Sequence, residues 1–282
     1  MITEQDYLRG YSIKDYDRPS VAADLVIFRM RTSAGDSFRK DPESKLSLLL
    51  IKRGEHPFLG RWALPGGFLR MDETVEACAL REAKEETGVT PDAMTYLGVF
   101  SAIDRDPRGR IISNAFTCIL NSGTVPEAGS DASEAQWFDV VFEDRGSGTC
   151  TVTLTSDGEA IRSELAVQKT LYGEALIPQG EQQLAFDHAA IIAAALRQLR
   201  TRAAEFELIF DFLPREFTLY ALQKVQEALT GEPVAVANFR RKVAAYVEET
   251  PRFTQGAGHR PAKLYTRKNG TGNRPETERS RT

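Results

Sequence analysis

The segment Gly67-Phe68-Leu69-Arg70-Met71-Asp72-Glu73, continued by Arg81-Glu82-Ala83-Lys84-Glu85-Glu86-Thr87-Gly88-Val89, constrains the fold more than any other part of the chain. Glu73 to Thr87 contains neither Pro nor Gly and has helical composition, and Gly88 suits the left-handed backbone that ends a helix. On such a helix Glu82, Glu85 and Glu86 stand three and four residues apart and share one face. Three carboxylates crowded near a helix C-terminus, whose dipole disfavours anions, cost stability unless a cation sits among them. With only three histidines in 282 residues, that cation must be held by oxygens, which suits Mg2+ or Mn2+.

The surrounding pattern predicts a sheet that receives this helix. Ser20 to Met30 and Leu46 to Lys52 read as buried strands separated by a long polar loop. Trp62 to Leu64 begins a short strand that ends at Pro65-Gly66-Gly67, and further strands fall at Thr95 to Ala102, Ile111 to Leu120 and Ala135 to Val141. Residues 143–183 read as a hairpin insertion, with Cys150 to Thr155 and Ile161 to Val167 about the turn Ser156-Asp157-Gly158. A helix over Phe186 to Leu199, capped by Asp187, closes a first domain of residues 1–204. Cys78, Cys118 and Cys150 are odd in number and far apart, so they read as buried small groups rather than a disulfide or zinc framework. No run is long enough to cross a bilayer and the N-terminus lacks an export signal, so the expectation is a cytoplasmic protein with no membrane partner.

Charge divides the chain in two. Residues 1–213 hold 23 Lys and Arg against 33 Asp and Glu, whereas residues 214–268 hold 10 against 5, an asymmetry that points the C-terminal part toward a polyanion. That part has a different rhythm: a Thr-capped amphipathic helix over Thr218 to Leu229, a break at Gly231-Glu232-Pro233, and a second helix over Ala237 to Glu249. Phe253 to Gln255 and Lys263 to Arg267 then flank a basic tip, the makings of a two-stranded ribbon. Helix, turn, helix, ribbon is the order of a winged helix, assigned to residues 205–268, followed by a disordered tail over 269–282.

The spacing from Gly67 to Val89 resembles the Nudix box, G-x5-E-x7-R-E-U-x-E-E-x-G-U with U apolar, and fills every fixed position. Seven fixed residues would recur by chance in a chain of this length on the order of once in a million or less, so coincidence does not compete. The resemblance implies an α/β/α sandwich with a mixed sheet. It also implies a hydrolase that cleaves the diphosphate of ADP-ribose or a related nucleoside diphosphate derivative with Mg2+ or Mn2+. Glu82, Glu85 and Glu86 would then ligate cations or position water, joined by the backbone oxygen of Gly66 or Gly67, while Glu73 and Arg81 fix the loop on the helix. Which carboxylate takes the proton stays open, with Glu134 a candidate from a distant loop and an exposed loop charge the plainer reading. Candidate substrate-binding residues are Arg70, Arg108, Arg110 and Trp62, the indole being either a base platform or core.

The C-terminal segment is similar to the winged helix of the Nudix-related transcriptional regulators of NAD metabolism. The likeness lies in Leu213-Pro214-Arg215-Glu216-Phe217-Thr218-Leu219, Asn238-Phe239-Arg240-Arg241-Lys242 and Arg260-Pro261-Ala262-Lys263-Leu264-Tyr265. It implies that Arg240, Arg241 and Lys242 enter the major groove of double-stranded DNA while Arg260 and Lys263 touch phosphate, in a homodimer reading a palindromic site. Many such regulators have a damaged box and this one is complete. Two readings follow: a hydrolase with an appended DNA-binding module, or a regulator for which the nucleotide is chiefly an effector.

Overall fold

Successive residues of the long strand β1 (Ser20–Thr32) face opposite ways, as the pleat requires: Ala23, Leu25 and Ile27 enter one apolar cluster, Val26 and Phe28 another. The next strand, β2 (Ser44–Arg53), repeats the division, with Leu49 on the first side and Leu48 and Leu50 on the second. A sheet buried on both faces reads as near-continuous apolar runs and must be covered from both sides. The computed structural model of the protein, which describes residues 2–32, 44–121, 132–144, 146–171, 173–206, 208–254 and 261–268, shows that cover. The long loop expected between β1 and β2 and the tail 269–282 lie outside the described residues.

A short helix, α1 (Glu4–Gly10), precedes β1. After β2 come β3 (Trp62–Ala63) and β4 (Gly66–Phe68), then α2 (Val75–Thr87), which is capped by Thr74 and stopped by Gly88 at φ 69°. The expected helix therefore starts two residues late, because Thr74 accepts a hydrogen bond from the Ala77 N–H and sets the first turn. Its buried Cys78, Ala79 and Ala83 are small enough to seat it closely on Ala23, Leu25 and Ile27. β5 (Ala93–Phe100), β6 (Ile111–Ile119) and β7 (Ala132–Asp144) follow as the sequence predicts. So do β8 (Thr149–Ser156) and β9 (Glu159–Thr170), joined by Asp157 and Gly158 at positive φ, the backbone of a tight hairpin. A further strand, β10 (Gly173–Gln179), was not expected: its Gly, Glu and Pro carry little strand signal, and pairing with β9 supplies the order.

The ten strands form one sheet with the main order β10-β9-β8-β7-β2-β1-β6-β5, with β3 and β4 attached to β2 and β1. β1 and β6 pair in parallel among antiparallel neighbours, so the sheet is mixed, and β8 to β10 extend it. The face opposite α2 is covered by α3 (His188–Ala204), through Ile191, Ile192, Ala195 and Leu196. Asp187 precedes α3 but makes no side-chain cap, correcting the expected role; its carboxylate is spent on Arg105.

The same apolar cluster continues through Phe206 and Phe210 into α4 (Leu219–Thr230) and α5 (Val236–Val243), where Leu222, Phe239 and Val243 join it. The second helix expected over 237–249 is thus shorter. Val247 is buried and pairs with Arg267, so the chain turns extended as β11 (Val247–Phe253) against β12 (Lys263–Arg267). Tyr246, stacked on Phe206 at 5.4 Å, anchors the turn between helix and strand. No helix among the described residues is long and apolar enough to cross a membrane.

Candidate active site

The loop before α2 is fastened by ion pairs. Glu73 receives both Arg81 Nε (3.0 Å) and Arg81 Nη2 (2.6 Å) and also accepts the Arg70 N–H (2.9 Å), and the Arg81 guanidinium holds its carboxyl down at about 2. Arg81 Nη1 then reaches Glu82 Oε1 (2.6 Å) and Glu85 Oε2 (2.9 Å). This corrects the argument from crowding: a guanidinium already stands among three of the box glutamates, so their proximity does not by itself demand a metal ion.

The structure also divides the trio. Glu82 and Glu86 line a cavity of about 260 Å3, whereas Glu85 is half exposed and turned to Arg81 and to Arg70 Nη2 (3.4 Å). Glu86 Oε2 accepts the Gly66 N–H at 2.7 Å, which ties the helix to the β4 backbone. Glu82 lies so close to Gly67 that a Cβ there would stand 2.3 Å from its Oε1, a physical reason for glycine at this position. Burial pushes the Glu82 carboxyl up from its ordinary range against the pull of Arg81, so a further positive charge in the cavity has work to do there. Among the described residues no three His, Cys, Asp or Glu side chains are grouped to hold a metal by themselves. Two carboxylates with the backbone oxygen of Gly66 or Gly67 still fit Mg2+ or Mn2+, since such ions keep several waters and take substrate oxygens.

Across the cavity stand Arg108, a candidate from the sequence, and residues that the sequence reading missed, Arg53 and Phe186 among them. Arg53, at the end of β2, and Arg108 both lie over the Phe186 ring, at 5.0 and 5.5 Å, and Arg108 also lies over Phe68 at 5.0 Å. Burial, and after it the Arg108 charge, lowers the proton affinity of Arg53, the condition of a cation short of an anion. Arg108 is aimed by Asp106, which takes its Nε (3.0 Å), Nη2 (2.7 Å) and backbone N–H (2.9 Å). Phe186 holds its place with a φ of 53°, a strained conformation for a side chain of its size.

The floor of the cavity is a buried polar network. Arg105 bridges Asp187 (2.7 and 2.9 Å) and Asp24 (3.3 Å), and Ser113 donates to Asp24 at 2.5 Å. His188, the first residue of α3, accepts the Leu64 N–H on Nδ1 (2.8 Å), so its proton sits on Nε2, which faces Asp24 Oδ1 at 3.8 Å. No spacing rule joins residues 24, 53, 105 and 188, which is why only the folded chain exposes them as a group.

Burial holds His188 below its ordinary value of 6.5 and keeps it neutral. A depressed folded pKa means that the unfolded chain takes up the proton first, so stability is complete above pH 6.5 and is lost as pH falls toward the folded value. In urea titrations from pH 7 to 5 the wild type should lose up to about 1.4 kcal/mol per pH unit relative to His188→Gln, which can still accept from Leu64. Parallel pH profiles for the two proteins would contradict this.

Three of the expected substrate residues lie elsewhere. Trp62 is core, 3% exposed, edge-on to Phe138 and donating to Glu159 (3.0 Å), because β3 turns it toward α3. Arg110 donates to the Ser101 and Ala102 carbonyls (2.8 and 3.1 Å) and so clamps the loop, and Arg70 rests on Glu85. Glu134 pairs with Lys52 (3.6 Å), its neighbour across β2 and β7, and does not line the cavity.

In the C-terminal unit α5 buries Phe239 and Val243 and exposes Arg240, Arg241 and Lys242. Lys263 is neutralised by an ion pair with Glu249, and Arg260 lies outside the described residues.

The mixed sheet, the helix on each face and the complete box make up a Nudix fold, and residues 30–141 match the family described as the NUDIX domain. Residues 209–266 match the NrtR DNA-binding winged helix domain, so the chain joins a Nudix domain to a winged helix of the NrtR type. The ADP-ribose pyrophosphatase of Methanocaldococcus jannaschii is 44% identical over 125 residues, 44% of this chain and 64% of that protein, so the match spans just under two thirds of that relative. The ADPR responsive transcriptional repressor NtrR of Acinetobacter baylyi is 27% identical over 267 residues, covering 93% of this chain and 88% of the relative. The crystal structure of Shewanella oneidensis NrtR complexed with a 27mer DNA superposes with a TM-score of 0.56 at 27% identity, covering 88% of this chain and 93% of that one.

Proposed function

We propose that the chain hydrolyses the diphosphate of ADP-ribose or a closely related nucleoside diphosphate derivative, and that its winged helix binds double-stranded DNA. One observation carries the first part: a single cavity sets Glu82 and Glu86 of a complete box against Arg53, Arg105 and Arg108. Arg53 and Arg108 neutralise the diphosphate charge, and the Arg108 guanidinium lies over both the Phe68 and the Phe186 ring. Glu82, Glu86 and the Gly66 or Gly67 carbonyl would hold Mg2+ or Mn2+, which when bound would supply positive charge against the phosphate oxygens and activate water. Water adds at one phosphorus, the bridging P–O bond breaks, and two monophosphates leave. Glu82 or Glu86, the two carboxylates of the box that line the cavity, would accept the water proton. Absence of turnover across a panel of nucleoside diphosphate derivatives, with Mg2+ or Mn2+ present, would defeat this reading.

The DNA reading rests on the exposed Arg240-Arg241-Lys242 row of α5 and on the likeness to the NrtR winged helix. Two copies related by a two-fold axis, each contributing residues 205–268, supply the contact that one eight-residue helix lacks. Arg240→Ala with Arg241→Ala should lower promoter affinity in mobility-shift assays and flatten its salt dependence by about two in log–log slope per chain. Unchanged binding would remove α5 as the recognition helix.

A second reading, in which the nucleotide is an effector, is favoured by α3. Its first residue, His188, lines the cavity, while Leu199 and Ala203 near its other end share the apolar cluster with Leu222 of α4. A ligand that moves the first turn of α3 must move or strain that packing. Identical DNA affinity with and without ADP-ribose, in protein that binds the nucleotide, would discard this reading.

A further inference from the structure

Phe58 and Phe186 both hold left-handed backbone, at φ 62° and 53°, and their rings meet edge to face with centroids 4.7 Å apart. Such strain in bulky residues clusters at ligand sites. The pair borders two spaces: Phe186 lines the cavity that holds Glu82 and Glu86, and both rings line a wider groove of about 1020 Å3 against the start of α3. Arg105 also lines both, so the two spaces adjoin.

The groove is built from other chemistry. β5 and β10 are the outer strands of the sheet, and stretches of both, 97–102 and 174–178, form its sides. Leu97, Phe100, Leu176 and Pro178 make those sides apolar, and Ala190 and Ala194, four residues apart on one face of α3, leave room between them. Its carboxylates are Asp104, Glu174 and Asp187, of which Glu174 is paired with Arg197 and Asp187 with Arg105. The Asp104 carboxylate is exposed and makes no hydrogen bond or ion pair among the described residues. A groove of this kind repels phosphate and accepts an uncharged ring system, whereas the cavity, with Arg53 and Arg108, attracts phosphate.

Size separates the two roles further. Sites that enclose a small organic ligand measure roughly 300–1,000 Å3, so a cavity of about 260 Å3 takes the diphosphate of a larger molecule and leaves its ends outside. A nucleoside left in solvent would forgo the apolar burial that the adjoining groove offers.

We propose that the groove between β5 and β10 is the nucleoside subsite: the base lies over Ala190 and Ala194, the ribose hydroxyls donate to Asp104, and the diphosphate passes Phe186 into the cavity. β5 and β10 are each paired on one side only, so outer N–H and C=O groups are at hand to read the edge of the base. The inference rests on the cavity being the diphosphate site, and it places the choice among diphosphate substrates in the groove.

Adenosine, which carries no phosphate, tests the groove separately from hydrolysis. In saturation-transfer NMR with the full chain it should bind, and inorganic diphosphate should not displace it. Ile177→Asp, on β10 at a side chain 41% exposed, puts a charge among the apolar sides and should weaken adenosine at least about tenfold without disturbing the core. Ala194→Phe, which fills the floor, should act in the same direction. In turnover assays both variants should raise the KM for ADP-ribose more than they lower kcat, because contacts to the base are the same in the ground and transition states. Absence of adenosine binding up to about 10 mM, equal affinity of wild type and both variants, or displacement by inorganic diphosphate overturns the subsite and leaves the hydrolase reading standing wherever turnover is seen. Adenosine binding that the two variants weaken, in a chain without turnover, instead defeats the hydrolase reading alone. Groove variants that change the molar mass in light scattering and not the adenosine affinity would show a second copy in the groove, and overturn the subsite as well.

Discussion

Glu86→Gln is expected to lower the hydrolytic rate by on the order of 10²- to 10³-fold while leaving the fold intact, because several kcal/mol of cation-derived stabilisation is lost and each 1.36 kcal/mol is tenfold. The substitution separates two roles of one side chain. The bond from the Gly66 N–H to Glu86 Oε2, 2.7 Å long, needs only an acceptor, which the glutamine oxygen provides. The negative charge on the cavity wall is what the variant removes. Turnover with saturating Mg2+ or Mn2+, together with a urea midpoint near that of the wild type, is the measurement that decides. Retained turnover would show that the wall formed by Glu82 and Glu86 is not where the reaction is driven. Gly67→Ala should act in the same direction by another route, since its Cβ has no room beside Glu82 Oε1.

The largest effect on stability should come from Arg105→Met. Arg105 has a side chain 4% exposed and is shared between Asp24 (10% exposed) and Asp187 (19% exposed). Burial works against its charge, and the bonds to Asp187 and Asp24 outweigh that cost. Removing one partner of a buried pair leaves the other charge unmet, at about 3–5 kcal/mol, a large share of the roughly 5–15 kcal/mol by which domains are stable. Asp24 is then left with Ser113 and the neutral His188. Adding Asp24→Asn should recover part of the loss, because an amide costs less to bury than a carboxylate. Chemical denaturation of the single and double variants tests this, and additive losses in the pair would show that the two residues are not coupled.

Much of the fold was legible in the chain because its signals are local. The apolar runs of β1 and β2, Thr74 and Gly88 at the ends of α2, Asp157-Gly158 at the hairpin and Thr218 and Gly231 about α4 each act within a few residues of themselves. The reading failed where long-range contacts override local preference. β10 is ordered by β9 and not by its own composition. The C-terminal half of the expected second helix becomes β11, because Val247 is buried and pairs with Arg267. For Trp62 the sequence leaves base platform and core both open, and the position of β3 beneath α3 decides for core.

The active site divides along the same line. The sequence alone determined the box and its carboxylates, because Glu73, Arg81, Glu82, Glu85 and Glu86 lie on one loop and helix whose period fixes their spacing. Only the tertiary structure decided that Arg81 supplies counter-charge, that Glu85 faces outward, and that Arg53, Arg105, Phe186 and His188 form the opposite wall. Those residues come from β2, the loop before β6 and the start of α3, and a wall assembled from distant segments is encoded in strand order and burial, which no local spacing reports.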